Sequence, residues 1–317
     1  MTPFNRQGSA MPSVPGFPRC GLFLTLMGAW LILFHFLGNS TLGYVDSPSL
    51  FGWLTWMYSR SPEEDHLWLI PFLVGGLMWW KREELMSVDK RVWWPALALV
   101  VLGVVLHVMG FVVQQTRVSV VAFFVGLYGL MGVVWGPAFL RASFFPWFLF
   151  CFSVPLGNSI EFVTFPLRML ATTITTGMCH TILGLDVIRD GTRIFDPAGA
   201  YQYEVAVACS GLRSLTVTIV LACTYAFMSF NSAGKRLILI ASAVPLAVVA
   251  NVFRLSAIII AAELMGQEAG NFVHENFFLS LLPYVPAMLG LMILGRFLER
   301  RGSATTEPVG DAKEVAA

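Results

Sequence analysis

The sequence predicts an all-α polytopic membrane protein of about eight transmembrane helices, with one interfacial amphipathic helix and a small β-hairpin on the outer face. Three observations lead there. Apolar residues make up 56% of the 317-residue chain and charged residues 12%, against roughly a quarter charged in an average soluble domain. Mean hydropathy is +0.72, which means more apolar surface than one water-soluble core could hide. The apolar residues also fall in runs long enough to cross a hydrocarbon layer, which a helix can do because it satisfies its own backbone hydrogen bonds.

The elements follow in order. Residues 1–19 form an N-terminal segment carrying Arg6 and Arg19. The run 20–38 has no small-residue cleavage site after it and reads as an uncleaved first span. Segment 66–80 ends in Trp79-Trp80-Lys81-Arg82, an aromatic belt followed by a basic stop. Segments 93–113 and 118–140 are separated by Gln114-Gln115-Thr116-Arg117, and 143–158, 161–185, 205–229, 237–265 and 276–295 follow. Residues 20–296 are expected as a single transmembrane domain whose motif-bearing half is 141–296. The polar tail 297–317 is expected to be cytoplasmic and disordered.

Charge parity sets the topology. Basic residues cluster at Arg6/Arg19, Lys81/Arg82/Lys90/Arg91, Arg141, Lys235/Arg236 and Arg296/Arg300/Arg301. The positive-inside rule makes each cluster cytoplasmic. Three apolar segments lie between Arg141 and Lys235, where parity admits two. The one demoted is 161–185, because it carries Glu161, Arg168, His180 and several threonines; it is expected to lie at the outer interface. Both termini are then cytoplasmic.

A net charge of +1 argues against a nucleic-acid partner. The five cysteines are odd in number, and Cys20, Cys151, Cys179 and Cys223 read as free packing thiols. His35 and His107 read as core residues, and nothing calls for a metal or a cofactor.

Three polar residues stand at the ends of, or between, hydrophobic runs: Cys209 in Ala208-Cys209-Ser210-Gly211-Leu212-Arg213-Ser214, Arg254 in Asn251-Val252-Phe253-Arg254, and His274 in Asn271-Phe272-Val273-His274-Glu275. A thiol, a guanidinium and an imidazole are the parts of a thiolate acyl-transfer site. The parity argument brings all three to the outer leaflet: Cys209 at the start of span 205–229, Arg254 where span 237–253 reaches the outer face, His274 just before the last span. Upstream of the cysteine, Asp190-Gly191 marks a hairpin turn and Tyr201–Val207 alternates as a strand would. Ser210-Gly211 suits a tight bend opening the next helix, whose N-terminus would lower the thiol's pKa. Taken singly the residues have blander readings. Cys209 could be a small packing residue, Arg254 an interfacial anchor, His274 a helix-end hydrogen bonder, and Arg213 structural or substrate-facing.

The C-terminal half resembles the exosortase/archaeosortase family of membrane cysteine transpeptidases. The resemblance rests on the Cys209 motif, the Asn251-x-x-Arg254 pair and the downstream His274. Pro166-Leu167-Arg168, Leu183-Gly184 and Arg189-Asp190-Gly191 extend it. So does His66-Leu67-Trp68-Leu69-Ile70-Pro71 running to Arg82, with Leu67 where the family usually has glycine. It implies that Cys209 is the nucleophile, His274 the general acid and base and Arg254 the oxyanion stabiliser, with Ser210, Gly211, Arg213 and Asn251 supporting or binding substrate. It further implies a substrate bearing a C-terminal PEP-CTERM-type sorting signal, a site on the outer face of the inner membrane, and a lipid amine, glycan amine or water as acceptor. A small transporter or lipid flippase, or an inactive membrane scaffold, is the alternative. No internal repeat links residues 1–140 to 141–296, as such transporters usually show.

Overall fold

The structure, a computed structural model, describes residues 18–41, 43–60, 64–204, 211–276, 279 and 284–303. It is mostly helical with one three-stranded sheet. Two compact units divide the chain: residues 1–60 with 67–155, and 61–66 with 156–317.

The first unit holds α1 (Cys20–Leu37), α2 (Leu50–Arg60), α3 (Leu69–Trp80), α4 (Arg82–Ser87), α5 (Leu97–Val112) and α6 (Thr116–Phe148). Helix α1 is apolar all round, yet only Trp30 and Phe34 are buried. Leu24, Ile32 and Phe36 face outward, as lipid-facing residues do. Helix α2 corresponds to none of the spans expected from the sequence. The Ser49 hydroxyl caps it by accepting the Gly52 N–H at 3.3 Å, and Leu50 and Trp53 bury against Phe34 and Phe123. His107 is a core residue as expected, its Nδ1 3.1 Å from Ser119 Oγ. His35 is instead exposed, with its Nδ1 3.3 Å from Ser49 Oγ.

Helix α6 is a hairpin. A straight helix would separate Phe124 from Trp147 by roughly 35 Å, but Trp147 Nε1 donates to the Phe124 carbonyl at 3.1 Å and Phe124 stacks on Phe150. The reversal is at Gly136-Pro137, where Gly136 takes φ 87°, and not at Arg141 as the charge pattern suggested. Pro137 has no N–H to continue the ladder, and only glycine adopts that backbone conformation readily. The reversal gathers basic segments at one end of the unit. Trp135 Nε1 reaches the Pro18 carbonyl, Lys81 Nζ reaches the Ala142 carbonyl, and the Arg91 carbonyl abuts Gly136.

The second unit contains α7 (Glu161–Met178), a π-turn (Cys179–Leu183), strands β1 (Ile188–Asp190), β2 (Arg193–Phe195) and β3 (Gln202–Glu204), then α8 (Gly211–Ser229), α9 (Ala233–Ala241), α10 (Ala243–Met265), α11 (Gln267–Glu275) and α12 (Tyr284–Ser303). Helix α10 is its centre and packs against α7, α8, α11 and α12. Helix α7 is amphipathic, but inside out. Thr164, Arg168, Thr172 and Thr175 are buried, while Phe162, Phe165, Leu170 and Ile174 are exposed. Arg168 pairs with Glu161 two turns back at 3.2 Å. Apolar groups outward and polar groups inward is the arrangement a surrounding hydrocarbon favours.

The expected hairpin is present, with the order β1-β2-β3, both pairs antiparallel. Its turn is Gly191-Thr192 and not Asp190-Gly191, because Asp190 pairs with Arg193. Among these residues only Gly191 has positive φ, at 60°. That is the pattern of a type II′ turn, which wants glycine first.

Among the described residues four stretches are long and apolar enough to cross a membrane: Cys20–Leu37, Trp94–Val112, Thr116–Ser153 and Ala233–Met265. Segment 66–80 becomes a 3₁₀ turn followed by the 12 residues of α3.

Candidate functional site

Helix α10 carries Asn251 and Arg254 three residues apart, so they neighbour each other on its surface. Asn251 is buried and Arg254 half-buried. The Arg254 Nε is buried, and among the described residues it has no hydrogen-bond partner. Sequence reading put the outer end of this helix near Arg254; it runs on to Met265. Nothing between them breaks a helix, and the stop comes only at Gly266, with φ 87°. Arg254 is therefore a mid-helix residue.

Gly266 also turns the chain back. Helix α11 packs along α10, a Cβ on Gly270 would lie 3.1 Å from Ala262 Cβ, and Val273 joins the core around Leu255, Ile258 and Ile259. His274, eight residues past the pivot, thus returns to about the level of Ile258, roughly one turn (~6 Å along the axis) from Arg254. Two of the three predicted residues are thereby carried on paired helices. His274 is half-buried in the last turn of α11.

Cys209 and Ser210 lie outside the described residues. Gly211 and Arg213 belong to the first turn of α8, which begins two residues after Cys209. Of the remaining thiols, Cys179 is fully buried, and burial pushes it up from its ordinary pKa, which leaves it inert. Among the described residues no group of three or more His, Cys, Asp or Glu is set to hold a metal ion.

Two tyrosines beside the site went unassigned in the sequence. The Tyr201 hydroxyl donates to Glu263 Oε2 at 3.0 Å, and the Tyr203 hydroxyl to the Gln267 carbonyl at 3.1 Å. Both phenols are pushed above their ordinary pKa, Tyr201 by burial and then by the Glu263 carboxylate, Tyr203 by burial. They clamp the sheet onto the α10–α11 junction, at the opposite end of α10 from the basic turn Lys235-Arg236. The i, i+2 spacing of the tyrosines was the available signal, since it puts both on one strand face. His66, part of the early resemblance, is buried next in sequence to Asp65 and near Glu64, whose Oε1 accepts the Gly157 N–H at 2.8 Å.

The first unit has an apolar cleft of about 660 Å³ lined by Met27, Met78, Trp79, Met131, Trp135 and Trp147 among others. None of the predicted site residues lines it. The chain matches the family model described as transmembrane exosortase over residues 53–292. No curated protein and no solved structure matches it.

Proposed function

Because the chain belongs to the transmembrane exosortase family, we propose that it is a membrane-embedded cysteine transpeptidase that cleaves C-terminal PEP-CTERM-like sorting signals. The carrying observation is that match, whose span includes Cys209, Arg254 and His274 in that order. A half-buried guanidinium on α10 and an imidazole on the helix folded back along it lend support. In this reading the chain is one domain of about eight spans in the inner membrane, with both termini cytoplasmic and the site outside. Residues 297–317 form its cytoplasmic tail, of which 297–303 continue α12 as helix and were expected to be disordered.

The chemistry follows from the residue types. The Cys209 thiolate attacks the scissile carbonyl carbon, and the carbonyl oxygen gathers negative charge. The Arg254 guanidinium, always charged and presenting planar donors, stabilises that oxyanion and also favours the thiolate. As the C–N bond breaks, protonated His274 gives its proton to the departing amine, leaving a thioester on Cys209. Neutral His274 then takes a proton from the acceptor as it attacks the thioester, and the thiolate is regenerated. A lipid or glycan amine as acceptor completes a transfer; water makes the step a hydrolysis. Ser210, Gly211, Arg213 and Asn251 support the site or contact substrate. The reaction calls for no metal or cofactor.

The test is co-expression with a substrate bearing an apolar C-terminal helix and a basic tail. Wild type should release the tail, and the thioester on Cys209 should be trapped by hydroxylamine and seen by mass spectrometry. Cys209→Ala should accumulate full-length substrate while inserting normally. Undiminished processing by Cys209→Ala would falsify the reading; a transporter, flippase or scaffold would be indifferent to that change.

A further inference from the structure

Among the described residues the three-stranded sheet has an open edge on the strand that leads to Cys209. In the β2–β3 pair Phe195 lies opposite Gln202, so Asp196 lies opposite Tyr201, and the Asp196 N–H donates to the Tyr201 carbonyl at 3.1 Å. Antiparallel ladders alternate hydrogen-bonded and non-hydrogen-bonded pairs. Tyr201 and Tyr203 therefore turn their backbone groups toward β2, and Gln202 turns its N–H and C=O away from it. Gln202 is exposed, and no described residue hydrogen-bonds to its backbone.

The faces of the strand are already assigned. Tyr201 and Tyr203 point to the helix side, where their hydroxyls are held by Glu263 and Gln267, and Ile194 opposite Tyr203 is fully buried there. A sheet anchored on one face, whose outer edge no described residue pairs, is a template for another strand. From Gln202 the chain reaches Cys209 in seven residues, at most about 25 Å of extended backbone. A peptide bond can be attacked only where its carbonyl is accessible, so the segment around the scissile bond must be extended and not helical. An extended segment beside an open strand edge gains main-chain hydrogen bonds whatever its side chains.

We propose that the outer edge of β3, through the backbone N–H and C=O of Gln202, binds the substrate's extended segment next to the scissile bond as an added strand. This rests on Cys209 being the nucleophile. Binding of this kind reads backbone, and it leaves side-chain selection to residues around the edge.

Proline supplies the test. At Gln202 it removes a donor that faces away from β2, so the ladder survives, whereas at Tyr203 it would break a rung. Processing kinetics would be measured for the full-length protein in detergent micelles with a synthetic substrate, alongside melting temperature and iodoacetamide labelling of Cys209. Measured against Gln202→Ala, which removes the same side chain but keeps the N–H, Gln202→Pro should lose at least about fivefold in kcat/KM, mainly through KM. Melting and Cys209 labelling should not change. As a check independent of folding, substrates with single backbone amides replaced by esters should lose a similar factor on wild type at one position of the segment, and no further on Gln202→Pro. Wild-type kinetics for Gln202→Pro, no effect of any ester, or a Gln202→Pro effect confined to self-association of the protein would overturn the proposal. Cys209-dependent processing that ignores Gln202→Pro refutes only the edge; processing that ignores Cys209→Ala refutes the reaction on which it rests.

Discussion

The Tyr201 hydroxyl and Glu263 Oε2 meet at 3.0 Å, joining the strand that leads to Cys209 to the last turns of the helix that carries Arg254. Sixty-two residues separate the partners in sequence. Tyr201 is 1% exposed, so its hydroxyl has no solvent to fall back on. The contact holds the sheet to the end of α10, next to the Gly266 reversal.

Tyr201→Phe should therefore destabilise the C-terminal unit by roughly 1 kcal/mol, the net value of a part-buried hydrogen bond whose carboxylate acceptor is itself exposed. Hydrogen exchange at β2 and β3 should quicken more than exchange in α1. The pH dependence has a definite sign. Burial and Glu263 raise the folded pKa above the ordinary value near 10. The associated stability is then fully present below pH ~10 and lost as pH climbs through the folded value. Melting of wild type between pH 8 and 11 should show that alkaline loss, and Tyr201→Phe should show less of it. Equal alkaline slopes in the two proteins would count against the assignment.

Gly136→Ala should weaken the N-terminal unit. The φ of 87° is costly for any side chain, and the new Cβ would sit 2.7 Å from the Arg91 carbonyl oxygen. Strain of this type costs of order 1–3 kcal/mol. Gly75→Ala is the control. Gly75 is helical with nothing within 4 Å of a new Cβ, so alanine there should be neutral or stabilising by up to about 1 kcal/mol. Thermal melts of the two variants should move in different directions.

The site variants should fall in order. Cys209→Ala should abolish processing, since no other side chain of the trio forms a thioester, and Cys209→Ser should be nearly as damaging because a hydroxyl is far harder to ionise. Arg254→Lys keeps the charge but loses the planar fork, and loss of an oxyanion donor costs ~100- to 1000-fold. His274→Ala should cost roughly 100- to 10,000-fold, with partial rescue by imidazole or altered pH. Accumulation of substrate retaining its C-terminal helix is the readout. Wild-type processing by Arg254→Lys would remove the guanidinium from the mechanism.

Topology can be checked by fusion reporters. Sensors placed after Arg82, Lys235 or Arg301 should report cytoplasm, and one inserted near Gly191 the outside. A cytoplasmic signal near Gly191 would put the sheet and the proposed peptide edge on the wrong side of the membrane.

Much of this was legible locally. The membrane class follows from composition, because a chain with 12% charged residues cannot cover its apolar surface with polar groups. The β-hairpin was visible because a glycine in a two-residue turn is a short-range signal, although which residues formed the turn depended on the pairing of Asp190 with Arg193. Helix α2 was missed, its apolar residues being too few for a span, yet Ser49 followed by Leu50, Trp53 and Met57 is a capped amphipathic pattern. The reversal in α6 falls five residues before Arg141, because a glycine at positive φ followed by a proline turns the chain whatever the charge pattern.

By itself the sequence determined the class of the protein, the family and the order of cysteine, asparagine, arginine and histidine along the chain, because each is written in composition or in contiguous residues. Only the tertiary structure decided that His274 folds back along α10 and that Gln202 turns its backbone outward. The physical reason is that a fold-back and the parity of a ladder depend on partners far away in the chain: Ala262 against Gly270, Asp196 against Tyr201, Tyr201 against Glu263.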